Sequence, residues 1–331
     1  MPPDELCEAP RIVRAAAAPA AMARPPAAQM LATLRRAPPA IAPKFLYDAA
    51  GCALYEQICE LPEYYLPGVE RAILDRHQRA LLAALPGRAE WVDVGCGDGL
   101  KARRWLQAGV VGRYVGLDLA EDWLRSTLAR AAADFPDVAF SGVVLDLEHG
   151  FELPGHPAGE LPRVIWYPGS SIGNFEPADA LRLLVQMRAP LRPGDALVLG
   201  VDGPTERVRQ LRAYDDPQGV TAAFNLNLLR VANRLLGADF DPAQFAHRAV
   251  FNEAASRIEM HLVARRAQRV GIAPGMRLAL AAGDWIVTEH SYKHPAERVL
   301  RLLHEAGFAR VRRFGIEGEG FGVYLGEVAH G

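Results

Sequence analysis

Cysteine is scarce in this sequence, and the few cysteines that occur lie far apart. The 331 residues include Cys7, Cys52, Cys59 and Cys96, and no two of these form a Cys-x-x-Cys pair. Disulfide-stapled secreted domains and structural zinc sites both depend on closely spaced cysteines. We therefore expect reduced thiols in a cytoplasmic protein.

Long runs of apolar or basic residues are also missing. A membrane-spanning helix needs about 20 consecutive apolar residues, and prolines within residues 1–42 interrupt the apolar stretch that a signal peptide requires. The formal net charge is −2, which gives no electrostatic reason to expect nucleic acid or an anionic membrane as a partner. We expect a monomer whose Ala/Pro-rich N-terminal tail, residues 1–42, packs onto the body.

Hydrophobic residues, by contrast, make up 50% of the chain, and from residue 85 onward they follow an alternating pattern. Short apolar runs, typical of buried strands, are separated by amphipathic stretches, typical of helices. The predicted strands are 89–94, 113–118, 138–146, 163–167 and 196–201. The predicted helices are 100–108, 121–133 and 177–187. This order predicts an α/β fold with a parallel sheet that is covered on both faces.

The alternation stops after residue 203 and returns at Pro295. The intervening segment combines a helix at 221–236 with apparent strands at 256–264, 276–281 and 285–288. Afterwards come a helix at 296–306 and a hairpin of two strands, 308–314 and 323–328. We therefore predict a second, smaller α+β substrate-binding domain from residues 43–67 and 204–293. Residues 68–203 and 294–331 form the larger domain.

A glycine-rich turn, Trp91-Val-Asp-Val-Gly-Cys-Gly-Asp-Gly99, lies between the first predicted strand and its helix. Glycine permits positive φ and a close approach of ligand to backbone, and free N–H groups at a helix start bind polar or anionic ligands. The dinucleotide fingerprint Gly-x-Gly-x-x-Gly would need glycine where Leu100 stands, which argues against a nicotinamide-dependent oxidoreductase. The Gly-x-Gly-x-Gly form resembles the first motif of Rossmann-like class I methyltransferases, which implies S-adenosylmethionine as cofactor.

Two acidic residues end the next two predicted strands. Asp118 follows Gly97 by 21 residues, and Asp146 ends the third strand. A carboxylate at the first position can accept hydrogen bonds from both ribose hydroxyls, and methyltransferases place an acidic residue near the adenine amino group at the second. The alternative is that both residues simply begin loops.

Other classes of methyltransferase leave marks that are missing here. Cytosine C5 methylation needs a Pro-Cys nucleophile, and no cysteine follows a proline. Amino-group methylation of nucleic acids uses an Asp/Asn-Pro-Pro-aromatic motif after the fourth strand. That place holds Tyr167-Pro-Gly-Ser-Ser-Ile-Gly-Asn-Phe175.

This last segment resembles the same region of L-histidine Nα-methyltransferases, which form hercynine (histidine betaine) for ergothioneine biosynthesis. The similarity extends over roughly residues 43 to 328 in unbroken order. The other matching motifs are Pro43-Lys-Phe-Leu-Tyr-Asp-Ala-Ala-Gly51, Leu61-Pro-Glu-Tyr-Tyr65, Ala213-Tyr-Asp-Asp-x-x-Gly-Val-Thr-Ala-Ala-Phe-Asn225, Arg257-Ile-Glu-Met260 and Thr288-Glu-His-Ser-Tyr-Lys293. The resemblance implies trimethylation of the α-amine of L-histidine, the first step of ergothioneine biosynthesis.

The resemblance also assigns roles to matching residues. Together with the glycine turn, it implies these cofactor contacts: Tyr47, Gly95, Gly97, Lys101, Asp118, Asp146 and Leu147. For the substrate it implies that Asn174 and Tyr214 hold the carboxylate and that Glu289 and Ser291 bind the imidazole. Tyr64 and Met260 match positions that line the pocket.

The chemistry of these residues suits histidine. An amide and a phenol offer neutral donors to a carboxylate, and Glu289 offers an acceptor to an imidazole N–H. Glu289 and Ser291 are two apart in an apparent strand, so both face the same side. Methyl transfer needs a neutral amine, and our hypothesis is that its proton leaves to solvent or through Tyr47 and nearby water.

Simpler interpretations stand beside these assignments. Tyr64 and Met260 could be ordinary core residues, Asn174 a helix cap and Lys101 a solvated charge. His290 and His294 have i, i+4 spacing, but Pro295 argues against the helix that a zinc pair at this spacing would need. We expect no metal site.

The sequence departs from the family pattern in three places. Leu66-Pro-Gly replaces an expected Pro-Thr-Arg, the turn reads Gly-Cys-Gly-Asp-Gly-Leu, and Leu147 stands where phenylalanine is expected beside the adenine. Two alternatives therefore stay open. One is an Nα-methyltransferase for another amino acid or a histidine derivative, and the other is a non-catalytic regulator that binds the cofactor.

Overall fold

The structure is a computed structural model that describes residues 10–14, 25–153 and 161–329. The strands of this part of the chain are β1 (Arg11–Arg14), β2 (Ala89–Val94), β3 (Val111–Asp118), β4 (Ala139–Val144), β5 (Arg163–Tyr167), β6 (Ala196–Val201), β7 (Phe245–Asn252), β8 (Arg257–Ala264), β9 (Gln268–Ala273), β10 (Met276–Leu280), β11 (Trp285–Tyr292), β12 (Arg310–Gly315) and β13 (Gly322–Glu327). Its α-helices are α1 (Pro26–Leu34), α2 (Ala49–Glu60), α3 (Leu66–Ala84), α4 (Arg103–Gln107), α5 (Glu121–Asp134), α6 (Pro177–Arg188), α7 (Arg207–Tyr214), α8 (Val220–Leu236) and α9 (Ala296–Glu305).

The central sheet has eight strands in the order β1-β4-β3-β2-β5-β6-β13-β12. The strands from β1 to β6 in that order pair in parallel, and the hairpin β12–β13 adds antiparallel to β6. The prediction of a parallel α/β sheet extended by a late hairpin is therefore confirmed. The carboxyl ends of β2, β3, β4 and β5 lie side by side, which is where an open α/β sheet binds ligands.

Both faces of the central strands are buried. Every residue of β2, β5 and β6 is shielded from solvent, as expected for strands covered by helices on both sides. On one face, the stacked rings of Trp91 and Trp105 have centroids 5.0 Å apart. On the other face, Ile165 and Leu199 pack against α6 and α9 in a second core cluster.

The segment after β6 builds a smaller antiparallel sheet in the order β11-β8-β7, with the hairpin β9–β10 beside it. Helix α8 covers this region with its buried side chains Phe224, Leu228 and Ala232, and it ends at Gly237, whose φ of 66° is the usual left-handed stop. The predicted strands at 256–264, 276–281 and 285–288 are present, although the last continues to Tyr292.

Some predicted elements differ from the structure. β7 and β9 were not predicted, because their mixed polar and apolar residues are only partly buried and lack a clean alternation. The predicted helix 100–108 divides into a 3₁₀ turn, Leu100–Ala102, and the short helix α4. The positive φ of 73° at Gly99 tightens the chain there before the helix can begin.

The N-terminal segment contributes to the fold where it is described. β1 pairs in parallel with β4 at the sheet edge, and α1 buries Met30 and Leu34 completely. The backbone of Ile41 donates to the carbonyl of Val287 at 2.8 Å, which fixes the segment to the small sheet. The rest of the predicted tail, 1–9 and 15–24, lies outside the described residues. Among the described helices, none combines the length and apolar character that a bilayer crossing requires.

Candidate active site

The glycine turn follows β2 with three left-handed residues. The φ angles are 67° at Gly95, 52° at Gly97 and 73° at Gly99, a region that side chains other than glycine rarely adopt. A Cβ added at Gly95 would meet no atom within 4 Å, so open space lies beside the loop backbone. A ligand can therefore approach the main chain closely at this point.

Asp118 joins this turn from the end of β3. Its Oδ2 accepts the N–H of Gly97 at 3.1 Å, and its Oδ1 accepts the N–H of Ala120 at 3.0 Å. Burial raises the pKa of the carboxyl group, and these backbone hydrogen bonds oppose the rise. A carboxylate has about four lone-pair sites, so Asp118 retains acceptor capacity for the hydroxyls of a sugar.

Asp146, at the end of the next strand, accepts from two basic side chains. Lys44 lies 2.7 Å from its Oδ2 and His149 lies 2.8 Å from the same atom. Burial opposes ionisation, but these contacts and the N–H of Glu148 hold the pKa of Asp146 below its ordinary value. The neighbouring Leu147 begins the 3₁₀ turn that follows. Lys44 lies within a family motif, but no role was predicted for it.

Lys101 connects the glycine turn to the loop after β5. Its ammonium lies 2.8 Å from the buried carboxylate of Glu70, whose other oxygen accepts the N–H of Gly169 at 2.8 Å. A Cβ at Gly169 would come within 2.8 Å of the Lys101 ammonium. Glu70 lies on α3 and carries no sequence signal, so this link was not predicted.

A pocket opens beside the same strand ends and has about 510 Å³ of space, part of it open to solvent. Seven residues that the sequence analysis assigned to the amino-acid substrate or the methyl-transfer step line it: Tyr47, Tyr64, Asn174, Tyr214, Met260, Glu289 and Ser291. They come from six separate parts of the chain. The structure thus brings these residues together, while their individual roles remain predictions.

The pairing of β8 with β11 in the small sheet positions the side chains on one side of the pocket. Glu289 pairs with Met260 across the antiparallel β8–β11 ladder, and a bulge lies just before it. Thr288, on the other face, fixes this register because its Oγ1 donates to the carbonyl of Met260 at 2.9 Å. Glu289 and Ser291 therefore face the pocket from one strand, as the two-residue spacing predicted.

Aromatic rings form another part of the pocket wall. Tyr47 packs edge-on against Tyr55 and Phe224, with centroids 5.5 Å and 5.7 Å apart, and Tyr64 packs edge-on against Tyr214 at 6.2 Å. Burial raises the pKa of Tyr47 well above its ordinary value. Its side chain is therefore a neutral phenol at physiological pH, able to donate and accept hydrogen bonds.

Among the described residues that line the pocket, Glu289 carries the carboxyl group. Burial raises its pKa to about 7, although the positive charge of Lys293 opposes the rise. Near neutral pH, a small stabilisation by a bound donor is enough to decide its ionisation. An imidazole N–H against this carboxylate would favour the ionised form.

The hydroxyl groups of Ser291 and Tyr214 are hydrogen-bonded to each other and to a buried lysine. Their hydroxyl oxygens are 2.7 Å apart, and the ammonium of Lys293 donates to each at 3.0 Å. Lys293 also pairs with Asp202, Nζ to Oδ2, at 2.9 Å. Both charged residues were missed as site residues, Lys293 although it ends a matched motif.

The i, i+4 spacing of His290 and His294 does not bring the two rings together on one ligand site. His290 Nδ1 lies 3.1 Å from Glu176, whereas the ring of His294 stacks on Tyr292 with centroids 5.8 Å apart. Across the described ranges, no group of three or more His, Cys, Asp or Glu side chains could hold a metal ion.

The parallel sheet carries a left-handed glycine turn after β2, a carboxylate at the end of β3 and a pocket alongside. This arrangement is that of a Rossmann-like, S-adenosylmethionine-dependent methyltransferase. The chain belongs to the histidine-specific, S-adenosylmethionine-dependent methyltransferase family, whose model matches residues 26–328. The family predicted from the sequence is therefore confirmed.

Individual relatives agree with this membership. A protein named histidine N-alpha-methyltransferase from Mycolicibacterium smegmatis is 38% identical over 89% of this chain and 92% of its own length. A protein of the same name from Mycobacterium tuberculosis is 38% identical over 88% of this chain and 91% of its own. Ergothioneine biosynthesis protein 1 from Neurospora crassa is 30% identical over 85% of this chain, which spans 32% of that longer protein.

Proposed function

We propose that the protein transfers three methyl groups from S-adenosylmethionine to the α-amine of L-histidine, forming hercynine in the first step of ergothioneine biosynthesis. The observation that carries this proposal is the pairing of Glu289 and Ser291 on one strand face of a pocket that Asn174 and Tyr214 also line. One pair suits an imidazole and the other suits a carboxylate. The names of the two mycobacterial relatives support the same substrate.

The cofactor would be held at the strand ends. Gly95 and Gly97 would offer backbone, Asp118 would accept from the ribose hydroxyls, and Asp146 beside Leu147 would meet the adenine. When bound, S-adenosylmethionine supplies a methyl group already activated by its sulfonium. The open space beside Gly95 and the free acceptor capacity of Asp118 fit a nucleoside of this kind.

The protein's own contribution is positioning and the handling of one proton. Fixing both the carboxylate and the ring would restrict where the α-amine can lie, and alignment of this kind can supply much of a rate enhancement. The amine must be neutral to react. Tyr47, neutral because burial raises its pKa, can accept a hydrogen bond from the amine while water carries the proton away.

This function is tested by offering the purified protein and S-adenosylmethionine to each amino acid and following mass. We expect methylation of L-histidine, with leucine and phenylalanine rejected by roughly 10⁴-fold because they leave Glu289 and Ser291 unpaired. Methylation of another amino acid but not histidine would favour the Nα-methyltransferase alternative. Cofactor binding without turnover on any amine would favour a regulator.

Three finer expectations belong to the same proposal. The small lined pocket suits a small-molecule substrate in place of nucleic acid, and the expectation of a monomer stays a prediction. Cys52, Cys59 and Cys96 are free thiols, consistent with the reducing cytoplasm. Residues 43–67 and 204–293 supply most of the pocket wall, which supports their assignment to the substrate-binding domain.

A further inference from the structure

The β5–α6 loop, residues 168–176, carries Asn174, and the part of it around Gly173 lies directly against strand β11. A Cβ added at Gly173 would come within 2.9 Å of the Tyr292 carbonyl oxygen and 3.5 Å of the Tyr292 nitrogen. Real Cβ atoms essentially never approach so closely, so this contact needs glycine. Asn174 and Ser291, the neighbours of the two touching residues, both line the pocket. The backbone contact therefore lies immediately beside pocket residues on both elements.

Glu176, at the end of the same loop, attaches the loop to the small sheet. Its carboxylate accepts hydrogen bonds from the Tyr292 hydroxyl at 2.5 Å, from Arg257 Nη1 at 3.1 Å and from His290 Nδ1 at 3.1 Å. Burial opposes ionisation, but Tyr292 and Arg257 hold the pKa of Glu176 below its ordinary value. The side chain makes no capping hydrogen bond to α6, which begins at the next residue. Its contacts therefore join the loop to the strands β8 and β11.

The donors that face Glu176 are themselves fixed in place. Arg257 lies opposite Tyr292 in the β8–β11 ladder, and its guanidinium lies 5.1 Å from the centroid of the Tyr292 ring. Its Nε and Nη2 also contact Glu259 Oε1, at 2.8 Å and 2.7 Å. Glu176 is therefore attached to two paired strands through side chains that already have a defined position.

The start of the loop is attached to the larger domain. The N–H of Gly169 donates to the buried carboxylate of Glu70 at 2.8 Å, and Ser170 Oγ accepts from the N–H of Asp202 at 2.8 Å. Ser170 also has a φ of 67°, which is uncommon for a residue other than glycine. Because both ends of the loop are attached, its middle cannot move relative to β11 without breaking some of these contacts.

The proposed function assigns different parts of the substrate to the loop and to β11. Asn174, on the loop, would hold the carboxylate, and Glu289, on β11, would accept the imidazole N–H. Tyr214, the second predicted carboxylate ligand, is bound to β11 itself, since its hydroxyl lies 2.7 Å from that of Ser291. Asn174 is therefore the carboxylate ligand whose distance from the imidazole site depends on how closely the loop approaches β11.

We propose that Gly173 and Glu176 are positioning residues that fix the spacing between the carboxylate and imidazole sites, so that the pocket selects an amino acid with the side-chain length of histidine. This inference rests on the proposed function. Among the described residues that line the pocket, neither of the two occurs, so both act through Asn174. One methylene more or less in a fitted pocket typically changes recognition by about 10- to 200-fold. L-Homohistidine, which is one methylene longer, is therefore the analogue that reports on this spacing.

The spacing is tested by Gly173→Ala, which places one methyl group between the loop and the strand. The φ of Gly173 is not left-handed, so alanine suits the backbone there, and the steric conflict is with the Tyr292 carbonyl oxygen 2.9 Å away. The loop must then move away from β11. With S-adenosylhomocysteine bound, we expect the Kd of L-histidine to rise about tenfold and that of L-homohistidine to change by no more than about threefold, as measured by calorimetry.

A second test, Glu176→Ala, releases the end of the loop without adding bulk. We expect the ratio of the two Kd values, L-homohistidine over L-histidine, to fall by roughly threefold, because hydrogen bonds to a charged group are lost while the contact at Gly173 remains. The matched control is Glu253→Ala, which removes a similarly exposed carboxylate that pairs with Arg207 and lies in the turn between β7 and β8. The control should leave the ratio unchanged.

The ratio of the two Kd values separates positioning from support of the fold. A variant that is merely less stable binds both amino acids less well by the same factor, so its ratio stays that of the unmodified protein. A folded Gly173→Ala or Glu176→Ala protein with this unchanged ratio would overturn the inference, and Glu176→Ala alone decides if Gly173→Ala does not fold. Failure of the unmodified protein to bind or methylate L-histidine would instead reject the proposed function.

Discussion

At the scale of single residues, the pocket places one titratable acid where an imidazole would bind. The pKa of Glu289 is raised to about 7 by burial, so the residue is partly protonated near neutral pH when it has no partner. Such shifts concentrate at functional sites, because an environment built for a ligand is poor for an unpaired charge. Glu289 should therefore lower the stability of the ligand-free protein and contribute to the binding of the ligand.

Because burial disfavours the ionised form of Glu289, the free energy of unfolding should depend on pH. Because the folded pKa of Glu289 lies above its ordinary value of 4.5, its contribution to stability is complete below about pH 4.5 and is lost as the pH rises through about 7. Glu289→Gln should therefore stabilise the ligand-free protein at pH 8 by roughly 2 kcal/mol, with pocket water screening part of the full effect. At pH 4.5 the gain should vanish. Thermal melting of both proteins at the two pH values checks this, and parallel pH profiles would refute it.

A second prediction concerns Tyr47. If its phenol relays the proton of the reacting amine, giving its own O–H proton to water as it takes up the amine proton, Tyr47→Phe should lower kcat at least about tenfold and alter the pH profile of kcat. The packing of its ring against Tyr55 and Phe224 is kept by phenylalanine, so stability should change little. Steady-state kinetics between pH 6 and 9 would decide. An unchanged rate and pH profile would remove Tyr47 from the proton path.

The sequence identified the pocket residues that lie in matched motifs, but it did not identify the residues that hold them in place. Asn174, Tyr214, Glu289 and Ser291 do meet in one pocket. Glu70 and Asp202, which hold the site from behind, were missed because a lone acid on a helix or after a strand looks like any surface charge. Only the three-dimensional contact with Lys101 or Lys293 distinguishes them.

At the scale of elements, local chemistry predicts the glycine turn most directly. Gly95, Gly97 and Gly99 all have positive φ, as their place between a strand and a helix indicated. The strands β7 and β9 were not predicted, because their side chains are only partly buried and the pattern is weak. β2, β5 and β6 could be predicted from the sequence because strands that are buried on both faces consist largely of apolar residues.

The turn gives a prediction with a matched control. Gly95→Ala should destabilise the protein by about 1–2 kcal/mol, the cost of left-handed backbone, and weaken S-adenosylmethionine binding because the new methyl enters the open space beside the loop. Gly87 likewise has no atom within 4 Å of an added Cβ, but its φ is not in the left-handed region. Gly87→Ala should therefore be nearly neutral in melting and in cofactor titration. Equal effects of the two changes would contradict the account of the turn.

At the scale of the whole molecule, the order of elements fixed the α/β class but not the role of the N-terminus. The alternation of strands and helices predicts the parallel sheet, since crossover helices must cover its faces. The Ala/Pro-rich composition hides the fact that β1 extends the sheet and that Ile41 joins the small sheet. These are long-range pairings, which local sequence patterns do not encode.

A ligand that binds the folded state stabilises the whole chain. S-adenosylmethionine at about 100 times its Kd should add about 2.7 kcal/mol to the free energy of unfolding, which a thermal melt reads as a higher Tm. NADH should produce no shift, because Leu100 occupies the position where the dinucleotide fingerprint needs glycine. A shift with NADH and none with S-adenosylmethionine would contradict the cofactor assignment.

The central claim is tested most directly by the product. The purified protein is incubated with L-histidine and excess S-adenosylmethionine, and the product is analysed by fragmentation mass spectrometry and NMR. We predict hercynine, with all three methyl groups on the α-nitrogen, an unmodified ring, and three S-adenosylhomocysteine molecules formed per hercynine. Methylation on an imidazole nitrogen, or no methylation of histidine at all, would contradict the account.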